Sequence, residues 1–282
     1  MEFTSAAARR RYDDIVAVAK DTVVALDFDG TLSPIVEDPD SARIHHDAPD
    51  LLVDLAEVVR AVAVITGRPA RQALALGGLD EVGDRMGGSG RELFLFGQYG
   101  NERWSSTNRR VVSPRPPPGL SSFLRELPGI LRRADAAEAY VEEKGLAVAV
   151  HTRRLPEPEV ASARLLPGLR DAAERHDLMI EPGRLVAEVR APGMHKGIAV
   201  RTLADEVGAA GFVFAGDDLG DLEAFAAVGE LRDAGLATLL VCSSSPDAEG
   251  PEELVELADV VVPGPDGVLA LLRQLVDDAR RS

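Results

Sequence analysis

The first hundred residues alternate between short unbroken apolar runs and longer stretches whose apolar positions recur every three or four residues. Residues 22–28 (TVVALDF) are β-branched and apolar until they meet an acid, which predicts a strand buried on both faces. A helix is predicted over residues 49–60, with Leu51, Leu52, Leu55, Val58 and Val59 on one face. Residues 61–65 form a second buried run, ending at Thr66-Gly67-Arg68, and residues 93–96 a third. The pattern resumes at Lys196, with a helix over 196–207, a strand over 212–215 and a helix over 219–228. Strands over 238–242 and 260–262 and a C-terminal helix from about residue 268 follow. This alternation predicts an α/β fold, a doubly wound parallel sheet of Rossmann-like type with helices on both faces.

The middle of the chain breaks the alternation. Residues 113–118 (SPRPPP) admit neither helix nor central strand and read as a stiff connector. Beyond them the pattern predicts a helix over 120–134 and a hairpin over 138–153 turning at Lys144-Gly145. A helix over 158–176 and a hairpin over 178–190 turning at Pro182-Gly183 complete it. Ala191-Pro192-Gly193 reads as the returning hinge. The expected organisation is therefore a core of residues 1–111 and 192–282, split around an inserted α+β cap of residues 112–191. Strand parity puts Glu142 with Lys144, His151 with Arg153, and Glu188 with Arg190. Leu146, Val148, Val150, Leu185 and Val189 fall on the alternate face, able to pack on the two helices. The polar face fits either plain solvation or a lid that grips a polyhydroxylated ligand.

Charge narrows the partners. Thirty-one basic residues against 47 acidic ones give a formal charge of −16, which disfavours nucleic acid and anionic membrane. No apolar run reaches membrane-spanning length, and no signal-peptide stretch follows Arg9, Arg10 and Arg11. Cys242 is the single cysteine, so no internal disulfide is expected, in keeping with a reducing cytoplasm. A monomer is expected, since no long exposed apolar stripe stands out. An anionic substrate would need local positive charge. Only three basic residues are lysines, Lys20, Lys144 and Lys196, and the last two fall within the patterned segments.

Ligands of open parallel sheets bind beyond the carboxyl ends of the strands, and four segments deliver reactive groups there. Asp27-Phe28-Asp29-Gly30-Thr31 places two carboxylates two residues apart. One can attack phosphorus while the other protonates the leaving oxygen, although a polar loop capping the next helix has the same composition. Thr66-Gly67 supplies a hydroxyl and backbone donors for a phosphoryl oxygen, or an ordinary turn. Lys196-Gly197 puts a cation at a helix N-terminus, unfavourable there without an anion. Gly216-Asp217-Asp218-Leu219-Gly220-Asp221 gathers three acids that repel one another unless a hard cation such as Mg²⁺ neutralises them, or unless the turn is simply solvated.

In this order the four segments resemble the haloacid dehalogenase superfamily of aspartyl-phosphate phosphatases. Asp27 and Thr66 are 39 residues apart, whereas Thr66 and Lys196 are 130 apart. That spacing is similar to the superfamily class with an α/β cap between its second and third motifs, which acts mostly on sugar phosphates. The strings DFDGTLSPI, VEEKGLAVAVHTR and RLVAEVR followed by KG look like the trehalose-phosphate phosphatase family. The resemblance implies a phosphatase for trehalose 6-phosphate with Asp27 as nucleophile and Asp29 as general acid and base. It implies Mg²⁺ held by Asp27, the main-chain carbonyl of Asp29 and Asp217, with Asp218 and Asp221 orienting them. Thr66 and Lys196 would bind the phosphoryl group, and Arg68, Glu142, Lys144, His151, Arg153 and Glu188 the sugar. Another sugar phosphate, such as sucrose phosphate or a glycosyl-phosphoglycerate, would use the same core. A sensor without turnover would not need the paired carboxylates. Three places depart from the family pattern. Thr152 stands for its usual tyrosine, Gly220-Asp221-Leu222 continues the acidic motif unusually, and Tyr99-Gly100-Asn101-Glu102 replaces a histidine-glycine-alanine-glutamate segment.

Overall fold

The structure, a computed structural model, describes residues 2–36, 38–88, 90–183, 185–244 and 251–282. Its strands are β1 (Glu2–Phe3), β2 (Thr22–Leu26), β3 (Ala61–Ile65), β4 (Leu93–Gly97), β5 (Glu102–Ser105) and β6 (Tyr140–Glu143). They continue with β7 (Ala147–His151), β8 (Met179–Gly183), β9 (Val186–Arg190), β10 (Gly211–Gly216), β11 (Ala237–Ser244) and β12 (Val260–Pro263). The helices are α1 (Ala6–Ala17), α2 (Ala48–Val58), α3 (Ala70–Gly77), α4 (Leu79–Gly87) and α5 (Leu120–Arg133). After them come α6 (Pro158–Arg175), α7 (Lys196–Val207), α8 (Leu222–Asp233), α9 (Glu252–Leu257) and α10 (Gly264–Arg281). The chain divides into two compact units. One comprises residues through Ser113 together with His195–Ser282, and the other Pro114–Met194.

In the first unit the strands lie in the order β1-β12-β11-β10-β2-β3-β4-β5. The six from β12 to β4 are parallel, and β1 and β5 pair antiparallel at the edges. The apolar runs are unbroken because both faces are covered. Val24, Leu26, Val62, Val64 and Val213 pack into a core with Tyr12, Leu52, Leu55 and Leu272. The residues between them, Val23, Ala25, Ala63, Phe212 and Phe214, pack on the other face with Val200, Leu203 and Phe225. From β2 the chain moves outward through β3 to β4. From β10, the neighbour of β2 on its other side, it moves outward through β11 to β12. The strand order reverses between β2 and β10, and the carboxyl ends at such a reversal are where open parallel sheets bind ligands.

Several elements lie outside the sequence expectation. Helix α1 carries Arg9-Arg10-Arg11 in its middle, yet Ala8, Tyr12 and Ile15 form a buried stripe and the Ser5 hydroxyl caps the Ala8 N–H at 3.0 Å. Helices α3, α4 and α9 and strand β5 are likewise additions. Strand β2 stops at Leu26, so Asp27 and Phe28 belong to the loop. The predicted helix over 219–228 starts with a 3₁₀ turn at Leu219–Asp221, and α10 starts at Gly264.

One polar residue ties the first unit together. Asp259, buried just before β12, accepts from Arg232 at 2.6 Å and from the Leu240 N–H at 2.9 Å, and also pairs with Arg11. Replacing it with alanine leaves a buried N–H and two guanidinium groups without their acceptor. Both arginines keep access to water, so we expect Asp259→Ala to cost about 1–3 kcal/mol, the range for leaving a buried donor unsatisfied. Urea titration checks this, and a loss below about 1 kcal/mol would show that water replaces the carboxylate.

In the second unit the order is β6-β7-β9-β8, all antiparallel. Val148, Val150 and Val189 pack with Phe123, Leu127 and Leu169 of α5 and α6. Three sequence expectations are corrected here. Pro182 and Gly183 lie within β8 rather than at its turn. Leu185 adopts a left-handed conformation (φ 61°) rather than an extended one, so strand parity does not assign its side chain to a face, and its carbonyl accepts from the Thr152 N–H and hydroxyl. Strand β7 ends at His151, and Arg153 sits exposed in the following turn, so strand parity does not pair the two.

Candidate active site

The loop after β2 is shaped by its own backbone. The Asp27 N–H extends the ladder to the Ala215 carbonyl at 2.9 Å, and the Leu32 and Ser33 N–H groups both donate to the Phe28 carbonyl. Gly30 takes φ +68°, and a Cβ there would lie 1.9 Å from Asp217 Oδ2. Only glycine lets this loop lie against the acidic loop after β10. The buried Ser243 hydroxyl, at the end of β11, donates to the Gly30 carbonyl at 2.6 Å and holds the loop from the far side. Ser243 went unnoticed in the sequence because the predicted strand stopped at Cys242, one residue short.

Lys196 is the first residue of α7 and is buried. Its Nζ lies 2.7 Å from Asp27 Oδ1 and 2.7 Å from Asp221 Oδ1. These carboxylates offset both the helix dipole and the loss of hydration. Gly197 follows because a Cβ there would meet the Glu223 carbonyl of α8 at 2.5 Å. The second oxygen of Asp221 accepts from the Asp217 and Asp218 N–H groups at 3.0 and 3.3 Å. Asp218, whose side chain is exposed, accepts from the Gly220 N–H at 2.9 Å, completing a reciprocal cap on the 3₁₀ turn. Gly220 therefore stands in a turn whose shape is set by Asp218 and Asp221, and Leu222 begins α8 directly after it.

Thr66 follows β3, the neighbour of β2, and is buried. Its N–H donates to the Phe96 carbonyl at 2.9 Å and its hydroxyl accepts from the Arg68 N–H at 3.1 Å. Arg68, expected at the sugar, grips Asp29 with Nε and Nη2 at 2.7 and 2.6 Å. It also donates to the Pro39 carbonyl and lies over the Phe28 ring. Both oxygens of Asp29 are thus held by one guanidinium fork.

The acids of this cluster raise one another. Burial pushes Asp27 well above the usual carboxylate range, against the pull of Lys196, and Asp221, Asp218 and Asp29 push it further. Asp217 is raised by burial, then by Asp27 and Asp218. Asp221 is raised to about 6, by burial outweighing Lys196. For Lys196 burial acts downward, but Asp221 and Asp27 together overcome it and raise it well above the ordinary lysine value. The carboxylates of Asp27, Asp217 and Asp221 each bring an oxygen within 4.8 Å of the others. An all-oxygen, anionic set suits Mg²⁺. Asp221 is committed to Lys196 and two N–H groups, which leaves Asp27 and Asp217 as the carboxylates with capacity for the ion. Cys242 is buried nearby, and burial with Asp217 and Asp221 holds its thiol at about 11, so it stays protonated.

In the second unit four of the five residues expected at the sugar pair with one another. Lys144 Nζ lies 2.6 Å from Glu188, and His151 lies 3.0 Å from Glu142. Arg190 and Glu181 are 3.1 Å apart on the same face. That face is not plainly solvated, since Glu188 and Arg190 are both buried. Thr152 is buried with its hydroxyl on the Leu185 carbonyl, where a tyrosine would not fit the same bond.

Known proteins resemble the chain along both halves of the motif set. The family model for trehalose-phosphatase matches residues 25–83 and 132–257. A Mycobacterium tuberculosis protein named as an uncharacterized glycosyl hydrolase is 34% identical over 216 residues, 73% of this chain and 15% of that one. Trehalose-phosphate phosphatase of the same organism is 31% identical over 218 residues, 75% of this chain and 52% of that one. The chain thus spans about half, or much less, of the length of these relatives. The solved C-terminal domain of Candida albicans trehalose-6-phosphate phosphatase superposes with a TM-score of 0.74 at 18% identity, covering 98% of both chains. With the family match running through the loops that carry Asp27, Thr66, Lys196 and Asp217, the chain belongs to the trehalose-phosphatase family.

Proposed function

We propose that this chain hydrolyses a sugar phosphomonoester, trehalose 6-phosphate in the first instance, through a phosphorylated Asp27. The observation that carries the reading is the buried Asp27 carboxylate, 2.7 Å from Lys196, with Asp217 beside it and Asp29 two residues on. The identity of the sugar rests on the family and on what its named members act on.

In this mechanism an oxygen of Asp27 attacks phosphorus in line, and the bond from phosphorus to the sugar oxygen breaks. Asp29 gives its proton to that departing oxygen. Asp29 then takes a proton from the water that attacks the phosphorus of the aspartyl phosphate, releasing phosphate and restoring Asp27. Both oxygens of Asp29 accept from Arg68, so the pair must open for Asp29 to carry and deliver the proton. The Thr66 hydroxyl and the Lys196 ammonium hold equatorial oxygens, where most of the stabilisation in phosphoryl transfer is exerted. Asp27, Asp217 and the main-chain carbonyl of Asp29 would hold Mg²⁺, which neutralises phosphoryl charge when bound. Asp218 and Asp221 shape the loop that presents Asp217. Glu142, Lys144, His151, Arg153 and Glu188 are proposed sugar contacts, and the first three with Glu188 would exchange their present partners for sugar hydroxyls.

The test is Mg²⁺-dependent phosphate release from a panel of sugar phosphates. Preference for trehalose 6-phosphate supports the full reading. Preference for another member keeps the chemistry and replaces the sugar, and binding without release would point to a sensor. In the same assay Asp29→Asn is expected to slow turnover about 10²- to 10⁴-fold, the range for a lost general acid and base. The loss in kcat/KM, which reports the first transfer alone, should be smaller for an ester whose leaving group needs no proton, and an equal loss in kcat/KM on both esters would contradict the role as acid.

A further inference from the structure

Strand β11 runs through Leu239-Leu240-Val241-Cys242, all buried, and then places a hydroxyl at Ser243, which is buried as well. A buried hydroxyl costs free energy unless it is bonded, and alanine would fill this strand end without that cost. The bond it makes is a distant one. Ser243 donates to the Gly30 carbonyl at 2.6 Å, across 213 residues of chain. Cys242 pairs with Gly216 of β10 in the parallel ladder, which brings Ser243 level with Asp217. One side chain thus reaches from beside the loop of Asp217 to the loop that carries Asp27 and Asp29.

What it holds lies next to the atoms proposed for the ion. The Asp29–Gly30 peptide, whose carbonyl is one of those atoms, sits between two peptides that are themselves tied down. On one side the Phe28 carbonyl accepts from the Leu32 and Ser33 N–H groups, and on the other the Gly30 carbonyl accepts from Ser243. Gly30 also lies so close to Asp217 that a Cβ would come within 1.9 Å of its Oδ2. Freeing the Gly30 carbonyl would therefore let the Asp29 carbonyl turn and the Gly30 backbone shift against Asp217. Oxygens that must be gathered as the ion binds hold it more weakly than oxygens already in place. We propose that Ser243 is a positioning residue for the divalent cation, keeping the Asp29 main-chain carbonyl and the Asp217 carboxylate in their mutual place before the ion arrives. The inference rests on the reading of Asp27, Asp217 and the Asp29 carbonyl as the groups that hold Mg²⁺.

Ser243→Ala tests it in metal-free protein titrated with Mg²⁺ in the absence of substrate, where the rise in melting temperature with ion concentration gives the affinity. The variant is expected to need about 3- to 10-fold more Mg²⁺ for the same rise, the size of one neutral hydrogen bond. Half-maximal phosphate release should move to higher Mg²⁺ by the same factor. Ser243→Thr and Ser243→Val repeat the comparison at one volume, with the hydroxyl kept or removed, and threonine should bind the ion tighter than valine by a similar factor. A lower metal-free melting temperature with an unchanged Mg²⁺ titration would make Ser243 a brace for the fold alone. Equal titrations for threonine and valine would show that the hydroxyl does not serve the ion. Either result overturns the inference while the metal reading stands. A wild type that Mg²⁺ neither stabilises nor activates would sink the metal reading as well.

Discussion

Asp27→Asn is expected to lower phosphate release by about 10⁴-fold or more, in line with the loss of a nucleophile from a preorganised set. The amide nearly matches the carboxylate in volume, so the loop from Asp27 to Ser33 keeps its backbone bonds to Ala215 and Phe28. Lys196 keeps Asp221 as a partner. What disappears is one buried negative charge from a cluster whose members raise one another. The metal-free variant should therefore melt no lower than wild type, and its stabilisation by Mg²⁺ should shrink because one of the two carboxylates with capacity for the ion is gone. That combination separates a chemical role from a structural one. Phosphate release and thermal melting with and without Mg²⁺ measure both. Turnover within tenfold of wild type would rule out a phosphorylated Asp27, and a large drop in metal-free stability would mean that Asp27 serves the fold.

Much of this site was legible because its residues follow apolar runs. A parallel strand buried on both faces has to read as continuous hydrophobicity, so the acid ending each run marks the carboxyl edge. Asp27, Thr66 and Asp217 were located in that way, and Lys196 by its unfavourable place at a helix N-terminus. Composition could not show which partner each side chain takes. Arg68 was expected at the sugar and lies on Asp29, a contact across 39 residues that no local pattern encodes. Parity puts Arg153 on the face of His151 only while the strand continues, and β7 ends two residues earlier. Helix α1 hid behind three consecutive arginines whose charges mask a stripe of only three buried residues. Asp259 gives no sequence signal, since its role depends on Arg11 and Arg232 reaching it from distant segments.

Lys196→Met should injure both stability and rate, and the pH dependence tells the two apart. Methionine fills a similar volume without the charge, so packing is largely kept. Asp27 and Asp221 lose the ammonium group 2.7 Å from each of them. Removing one side of a buried ion pair costs about 3–5 kcal/mol when the remaining charges stay ionised. Asp221 is already raised to about 6 with the lysine present, which means that the folded state holds its proton more tightly than the unfolded chain does. Stability contributed by such a group is greatest at low pH and declines as pH rises toward the folded value. Without Lys196 the carboxylates shift higher still, so the deficit of the variant should widen from pH 5 to pH 8. Lys196 stays protonated throughout this window, because its raised value lies above it, so the carboxylates alone set the pH dependence. In urea titrations of metal-free protein the two curves should therefore nearly meet at pH 5 and part at pH 8, with Mg²⁺ recovering part of the gap by supplying the missing positive charge. Turnover with saturating Mg²⁺ should still fall about 10³-fold, since a phosphoryl oxygen loses a donor that no ion bound between Asp27 and Asp217 replaces. A gap in stability that is the same at both pH values would mean that packing, rather than charge, is what Lys196 supplies to the fold.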